Sequence, residues 1–306
     1  MAFEGVLPIL AVPCRDSGAI DYESVRTQIA ALADGGCDGV ILFGFGSEFY
    51  KLTDDEKREL TRVSVDAGAE EGLAVYTSVT DQTTEQAVDW ATWFEDAGVD
   101  GLMLLPPHMA GPSEDELLAH MRAVGEAVAV PIVVQYAPQN VGVTISPGTF
   151  ARLSADVDTI SDFKVECEPP GPYITALMEE TDGAVDVLVG SNGKKLLAAL
   201  DRGAVGVVPT VGLHEFYVEI IDRYTSGDRE GAIDLHNSLL PMLNHSAGGE
   251  SFVRFDKEIQ ARRGFIAEEA THMRSPTTEP DEYVVDLWEA QLERALATVR
   301  SIGPSR

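Results

Sequence analysis

The stretch Gly39-Val-Ile-Leu-Phe-Gly-Phe-Gly-Ser-Glu-Phe-Tyr-Lys-Leu-Thr-Asp-Asp-Glu56 holds one full period of the pattern from which the chain is built. Gly39 to Phe43 is an apolar run without polar alternation, as expected of a strand buried on both faces. Gly44 to Glu48 is a glycine-containing loop. Thr53-Asp-Asp-Glu56 is a capping box, a hydroxyl at the N-cap with a carboxylate three residues later, and it opens a helix. The same order recurs on either side. Strands are expected at Val6 to Val12, Ala74 to Ser78, Gly101 to Leu105, Ile132 to Gln135, Thr159 to Phe163, Val185 to Val189 and Val205 to Val208. Helical patterns stand between them at 22 to 32, 83 to 97, 114 to 128, 147 to 154, 172 to 180 and 193 to 202. Eight apolar strands alternating with helices predict an α/β fold, a closed (β/α)8 TIM barrel. The competing open, doubly wound sheet wants GxGxxG after its first strand, and Gly44-Phe-Gly46 is too short to be that fingerprint. Beyond the eighth strand the pattern is helical only, at 213 to 226, 228 to 246, 250 to 263 and 280 to 300. The first completes the barrel and the other three form a C-terminal extension. The expected division is therefore a barrel over 1–226 and a helical extension packed on it over 227–306. Ser275-Pro-Thr-Thr-Glu-Pro280 is the one linker-like stretch, too short to separate domains.

Charge narrows the function classes. Across 306 residues, 51 Asp and Glu face 22 Lys and Arg, a net charge of −29. Such a chain repels nucleic acid and anionic membranes. Disorder is excluded by the persistent apolar periodicity and a hydrophobic content of 44%. Few lysines among many carboxylates is the composition of a protein suited to concentrated salt, where a Debye length of about 3 Å at 1 M screens the self-repulsion. Cys14, Cys37 and Cys167 form no CxxC pair and are odd in number, which points to a reducing compartment without disulfides. The run Val6 to Val12 follows Glu4 rather than a basic segment, and no stretch reaches the roughly 18 apolar residues of a membrane span. A cytoplasmic, soluble protein is expected.

In a barrel the chemistry sits where strands end. The strand-six stretch Asp158-Thr-Ile-Ser-Asp-Phe-Lys-Val-Glu166 delivers Lys164 there. Lys57 and Lys257 fall in polar helical patterns and Lys51 in a loop, and all three read as solvated surface charges. Alone, Lys164 would read rather as a lysine snorkelling from a strand end. Its neighbours change that. Strand five ends in Gln135-Tyr136-Ala-Pro138, strand seven in Gly190-Ser-Asn-Gly193, strand four in Pro106-Pro-His108, and strand two in the Gly44 to Glu48 loop. A lysine forms a carbinolamine and then an iminium with a 2-keto acid, the iminium draws electrons from C3, and a phenol shuttles the protons. The glycine loop brings backbone N–H groups toward a carboxylate. This mechanism needs the amine lowered from about 10.4 toward 7, at about 1.4 kcal/mol per unit. Glu166, two residues on, opposes that lowering if it points inward, and strand alternation alone leaves its direction open.

On these motifs the chain resembles the dihydrodipicolinate synthase and N-acetylneuraminate lyase family of Schiff-base class I aldolases, along nearly its whole length. The family's G-x-x-G-E loop falls on Gly44 to Glu48, its strand-five tyrosine and nearby proline on Tyr136 and Pro138, and its Schiff-base lysine on Lys164 with Glu166 behind it. The resemblance implies a barrel with three extra helices, a homotetramer, no cofactor, and pyruvate or a pyruvate-derived 2-keto acid as small-molecule partner. It implies Lys164 as nucleophile, Tyr136 as proton shuttle, Gly46 and Ser47 on the substrate carboxylate, and Gly190, Ser191 and Asn192 toward a polyol tail.

Departures from the synthase pattern are specific. Phe45 and Gly46 stand where the synthases carry two threonines, and His108 where they carry a relay tyrosine. The arginine expected after the strand-five tyrosine, which holds the second carboxylate of the semialdehyde, is missing from Pro138-Gln-Asn-Val-Gly142, and none follows before Arg152. Lysine biosynthesis is thereby disfavoured. Gln135 to Pro138 and Lys164-Val-Glu-Cys-Glu-Pro169 are more similar to the branch acting on 2-keto-3-deoxy sugar acids, as dehydratases or as retro-aldolases releasing pyruvate. The six histidines show no HxxxH or HExxH spacing, so a metal aldolase is unsupported. A non-catalytic barrel with Lys164 as inert partner of Glu166 is the remaining alternative.

Overall fold

The computed structural model describes residues 3–245 and 250–302. Eight strands form one sheet: β1 (Gly5–Val6), β2 (Gly39–Leu42), β3 (Ala74–Val79), β4 (Gly101–Leu104), β5 (Ile132–Tyr136), β6 (Ile160–Val165), β7 (Asp186–Val189) and β8 (Gly206–Val207). Their order is β1-β8-β7-β6-β5-β4-β3-β2, and the pairs from β3 through β8 are parallel. Past β1, Ile9 bridges in parallel to Ile41 beside β2 and to Thr210 beyond β8, so the first strand lies between the two and the ring closes as a (β/α)8 barrel. Every residue of β2, β4 and β5 is buried, which is why β2 and β4 read as unbroken apolar runs and β5 is broken only by Gln135.

The helices are α1 (Tyr22–Asp34), α2 (Asp54–Glu71), α3 (Thr84–Asp96), α4 (Glu114–Glu126), the short α5 (Pro138–Val141), α6 (Pro147–Asp156), α7 (Pro170–Glu180), α8 (Leu196–Leu200), α9 (His214–Ser226), α10 (Arg229–His245), α11 (Ser251–Arg262) and α12 (Glu282–Ile302). Residue 246, the expected end of α10, lies outside the described residues. The Thr53 capping box is formed in both directions, and Ser113 with Glu116 makes a second one at the start of α4. The last three helices are the C-terminal extension.

By internal packing the chain divides into two units. Met1–Gly5 with Ala74–Val208 form the first, and Val6–Leu73 with Pro209–Arg306 the second. The core of the first includes Phe150 against Phe163, ring centroids 4.6 Å apart, and Trp90 stacked on Phe94. In the second, Trp288 of α12, 1% exposed, stacks on Phe255 of α11 at 4.5 Å.

The first unit also buries a carboxylate. Asp162 on β6 is 0% exposed; its Oδ1 accepts from Phe3 N at 3.3 Å and its Oδ2 from the Ser161 hydroxyl at 2.8 Å. Burial, with Asp186 nearby, pushes its carboxyl up to about 6. A carboxyl raised above its unfolded value favours the folded state below about pH 4, and that favour is lost as pH rises through 6. Asp162→Asn removes the titration, keeping the Phe3 bond through its amide oxygen and reversing the other so that its NH2 donates to the Ser161 hydroxyl. The variant should gain stability over the parent as pH goes from 4 to 6, reaching at most about 3 kcal/mol at pH 7. Chemical denaturation at a series of pH values checks this, and a pH-independent difference would refute it.

Candidate active site

Lys164 is the penultimate residue of β6, in register with Gln135 on β5 and Leu188 on β7. The strand runs to Val165, two residues past the end expected from the sequence, which draws the lysine inside: it is 4% exposed. A snorkelling amine would sit in water. This one is 3.3 Å from the Glu166 carboxylate, Nζ to Oε2.

The direction of Glu166, open in the sequence, is toward Lys164. Its backbone N donates to Tyr136 O at 2.8 Å, extending the β5–β6 ladder one residue beyond β6. Its Oε2 also accepts from the Gln135 side-chain amide, and its Oε1 accepts from Ser191 N at 3.0 Å. Three strand ends thus converge on one carboxylate, its side chain 9% exposed. Gly190 makes room for it, since a Cβ there would stand 2.2 Å from Glu166 Oε1 and 2.3 Å from its Cγ. Ser191 and Asn192 follow with φ of 52° each, a turn that aims the Ser191 N–H inward. Of the three loop residues expected to hold a polyol, two therefore act first on Glu166: Gly190 by lacking a side chain, and Ser191 through its backbone.

Gly190→Ala has no backbone objection, its φ being −97°. The new methyl would displace the Glu166 side chain from Cγ outward and no backbone atom, so the fold should survive while the carboxylate moves away from Lys164. Turnover should fall about 10²-fold with little change in melting temperature, as expected when a catalytic group shifts by about 1 Å. Equal activity of the two proteins would show that the position of Glu166 is immaterial.

Tyr136 ends β5 and is 7% exposed. Its ring stacks on Tyr173 at 4.4 Å and meets Phe150 edge-on at 5.8 Å. Burial raises its phenol, so it stays protonated at neutral pH and has a proton to lend. Tyr173, on the first turns of α7, donates to Ile145 O at 2.8 Å and fixes the stack. No motif pointed to Tyr173. Gln135 was legible in principle, because adjacent strand ends in barrel order bring it opposite Lys164.

His108 follows β4, which ends at Leu104. Its N donates to Gln82 Oε1 at 2.8 Å, and it lines a cavity of about 250 Å³ with Gln82, Thr84, Met109, Glu116 and His120. Lys164, Tyr136 and Glu166 are not among the lining residues.

Gly46 and Ser47 belong to the second unit. Ser47 is fully buried, its hydroxyl donating to Leu10 O at 2.6 Å and its N to Gly44 O at 2.9 Å. Gly46 packs on Ile9, whose Cγ2 lies 3.0 Å from where a Cβ would stand. The expectation that Lys257 and Lys51 are solvated is overturned. Lys257 is 0% exposed and binds Glu48 Oε2 at 2.7 Å, while Lys51, its side chain 7% exposed, binds Glu48 Oε1 at 3.0 Å. Lys257 sits in a polar stretch of sequence because its neighbours Asp256 and Gln260 are buried polar groups as well.

Comparison with known proteins places these observations in a wider set. Residues 2–295 match the model of the dihydrodipicolinate synthetase family. The 4-hydroxy-tetrahydrodipicolinate synthase of Acidothermus cellulolyticus is 32% identical over 246 residues, covering 79% of this chain and 77% of that protein. The L-2-keto-3-deoxyarabonate dehydratase of Azospirillum brasilense is 25% identical over 281 residues, 90% of each chain. A prophage protein of the dihydrodipicolinic acid synthase family from E. coli K12, solved in complex with pyruvate, superposes with a TM-score of 0.88 at 21% identity, covering 97% of this chain and 100% of that one. The dihydrodipicolinate synthase of Rhodopseudomonas palustris gives 0.88 at 23% identity, covering 95% and 97%. At such identities the two structures speak to the fold. Among the described residues no helix is long and apolar enough to cross a membrane.

Proposed function

Because the chain belongs to the dihydrodipicolinate synthetase family, whose members are lyases, we propose that it dehydrates a 2-keto-3-deoxy sugar acid through an imine on Lys164. The observation that carries this reading is the Glu166 carboxylate 3.3 Å from the Lys164 amine. Lys164 Nζ adds to the C2 carbonyl, and the carbinolamine loses water to give the iminium, with Tyr136 relaying protons. A carboxylate beside Nζ is within reach of C3, where it takes a proton while the iminium accepts the electron pair. The enamine then expels the C4 hydroxyl, which leaves as water with the proton that Glu166 has just acquired. Hydrolysis of the unsaturated iminium frees Lys164 and a 3,4-unsaturated 2-keto acid, for a net loss of one water.

Retro-aldol release of pyruvate begins at the same iminium but needs its base at the C4 hydroxyl, not at C3. The position of Glu166 favours elimination. Condensation of pyruvate with aspartate semialdehyde is the other alternative, supported by the names of several relatives. It is disfavoured by the absence of a cation between Tyr136 and Arg152 to meet the second carboxylate. On the same reading the loop carrying Gly46 and Ser47 receives the C1 carboxylate, Asn192 meets the sugar hydroxyls, and the enzyme is a cytoplasmic homotetramer active in concentrated salt.

The test is a panel of 2-keto-3-deoxy pentonates and hexonates incubated with the protein in high-salt buffer, with products separated by mass. Loss of 18 Da from a panel member supports the proposal. Pyruvate plus an aldehyde would replace dehydration by retro-aldol cleavage, and turnover only of pyruvate with aspartate semialdehyde would overturn it.

A further inference from the structure

The chemistry above leaves a second buried ionic cluster unused, on the loop that follows β2. Glu48 sits there at φ 52°, ψ 39°, a left-handed conformation that a residue with a side chain rarely adopts, between the short turns Phe45–Ser47 and Phe49–Lys51. It is 4% exposed. Its Oε2 lies 2.7 Å from Lys257 Nζ, which also donates to His272 O at 3.1 Å, and its Oε1 lies 3.0 Å from Lys51 Nζ. Lys51 in turn meets Glu250 at 2.8 Å. Two carboxylates and two ammonium groups balance.

A buried ion pair is a poor way to add stability, because apolar side chains of the same volume serve as well or better. Its specific use is to hold one conformation among several. The conformation here is that of Gly44 to Ser47, and α11 reaches it twice: through Lys257 and through Phe252, whose Cε2 is 3.9 Å from where a Cβ on Gly46 would stand. Asp256 of the same helix is anchored independently, accepting from Gly212 N at 2.7 Å, so the lysine is presented from a fixed support.

We propose that Lys257, acting through Glu48, is a positioning residue for substrate binding: it holds the loop after β2 in the shape that receives the 2-keto acid carboxylate. This rests on the assignment of Gly46 and Ser47 to that carboxylate. It makes a helix of the C-terminal extension part of the binding apparatus, although Lys257 itself never touches substrate.

The experiment is titration with pyruvate in the presence of borohydride, reading the fraction of Lys164 adduct by intact mass, for the parent, Lys257→Met, Glu48→Ala and the double variant. The half-saturating pyruvate concentration should rise about tenfold or more in each single variant while the trapping rate at saturation stays within about threefold, the signature of lost ground-state binding. The double variant should be no worse than the worse single, because both remove one interaction. If Lys257→Met does not fold, Glu48→Gln, which keeps length and an acceptor oxygen, should raise half-saturation at least about threefold by loss of the charge. An adduct on the parent with half-saturation unchanged in the variants, or additive effects in the double, overturns this inference alone. No adduct on the parent at any pyruvate concentration sinks the Schiff-base reading and this inference with it.

Discussion

Lys164→Met is expected to abolish turnover, by about 10⁴-fold or more, and to give no adduct with pyruvate and borohydride, while the protein keeps its fold. The size of the effect follows from the role. An imine nucleophile has no substitute in the site, and without the iminium the C3 proton is not acidic enough for any carboxylate to remove. The survival of the fold follows from the surroundings. Lys164 is 4% exposed among apolar strand residues, and Met replaces its stem at similar volume. Glu166 loses one partner of three and keeps the Gln135 amide and the Ser191 N–H. Stability should therefore fall by less than the about 3–5 kcal/mol that removing one partner of a buried ion pair costs, because the carboxylate left behind keeps two hydrogen-bond donors. The opposite pattern, unfolding with no activity to lose, is what a non-catalytic barrel with an inert Lys164–Glu166 pair would show. Thermal melts and borohydride trapping on the same samples separate the two.

Glu166→Gln is expected to lower dehydration about 10²–10⁴-fold while leaving the pyruvate adduct on Lys164 intact. The amide cannot take the C3 proton or return it to the leaving hydroxyl. It can still accept from Ser191 N, so the site should hold its shape. Trapping reports only imine formation and turnover reports the whole sequence, so the two measurements must part company. Turnover within about threefold of the parent would remove Glu166 from the acid–base role and leave Tyr136 as the remaining candidate. Loss of the adduct together with turnover would assign Glu166 to imine formation instead.

Most of the architecture was legible before any coordinate. Unbroken apolar runs at Gly39–Leu42 and Gly101–Leu104, a helix opened by Thr53, and the absence of GxGxxG are local signals, and local signals are what a backbone period of two or 3.6 residues writes into sequence. The barrel followed because eight such units have one economical closure. Lys164 and Tyr136 stood out because strand ends are where a barrel keeps its chemistry.

What sequence could not hold are the pairings made at a distance. Lys257 reads as a surface lysine in a polar helix, and its burial appears only when Glu48, 209 residues away, is brought against it. Glu166 is ambiguous within its own strand. Its direction is set by Ser191, 25 residues on, by Gln135, 31 residues back, and by the missing side chain of Gly190. His108 reads only as a strand-end residue, while its backbone N is held by Gln82, 26 residues earlier. In each case the side chain's chemistry was visible in its letter, while its environment came from residues that only folding assembles. Burial, which lowers a lysine amine toward its nucleophilic form, and charge pairing, which fixes it as a clamp, are properties of that environment.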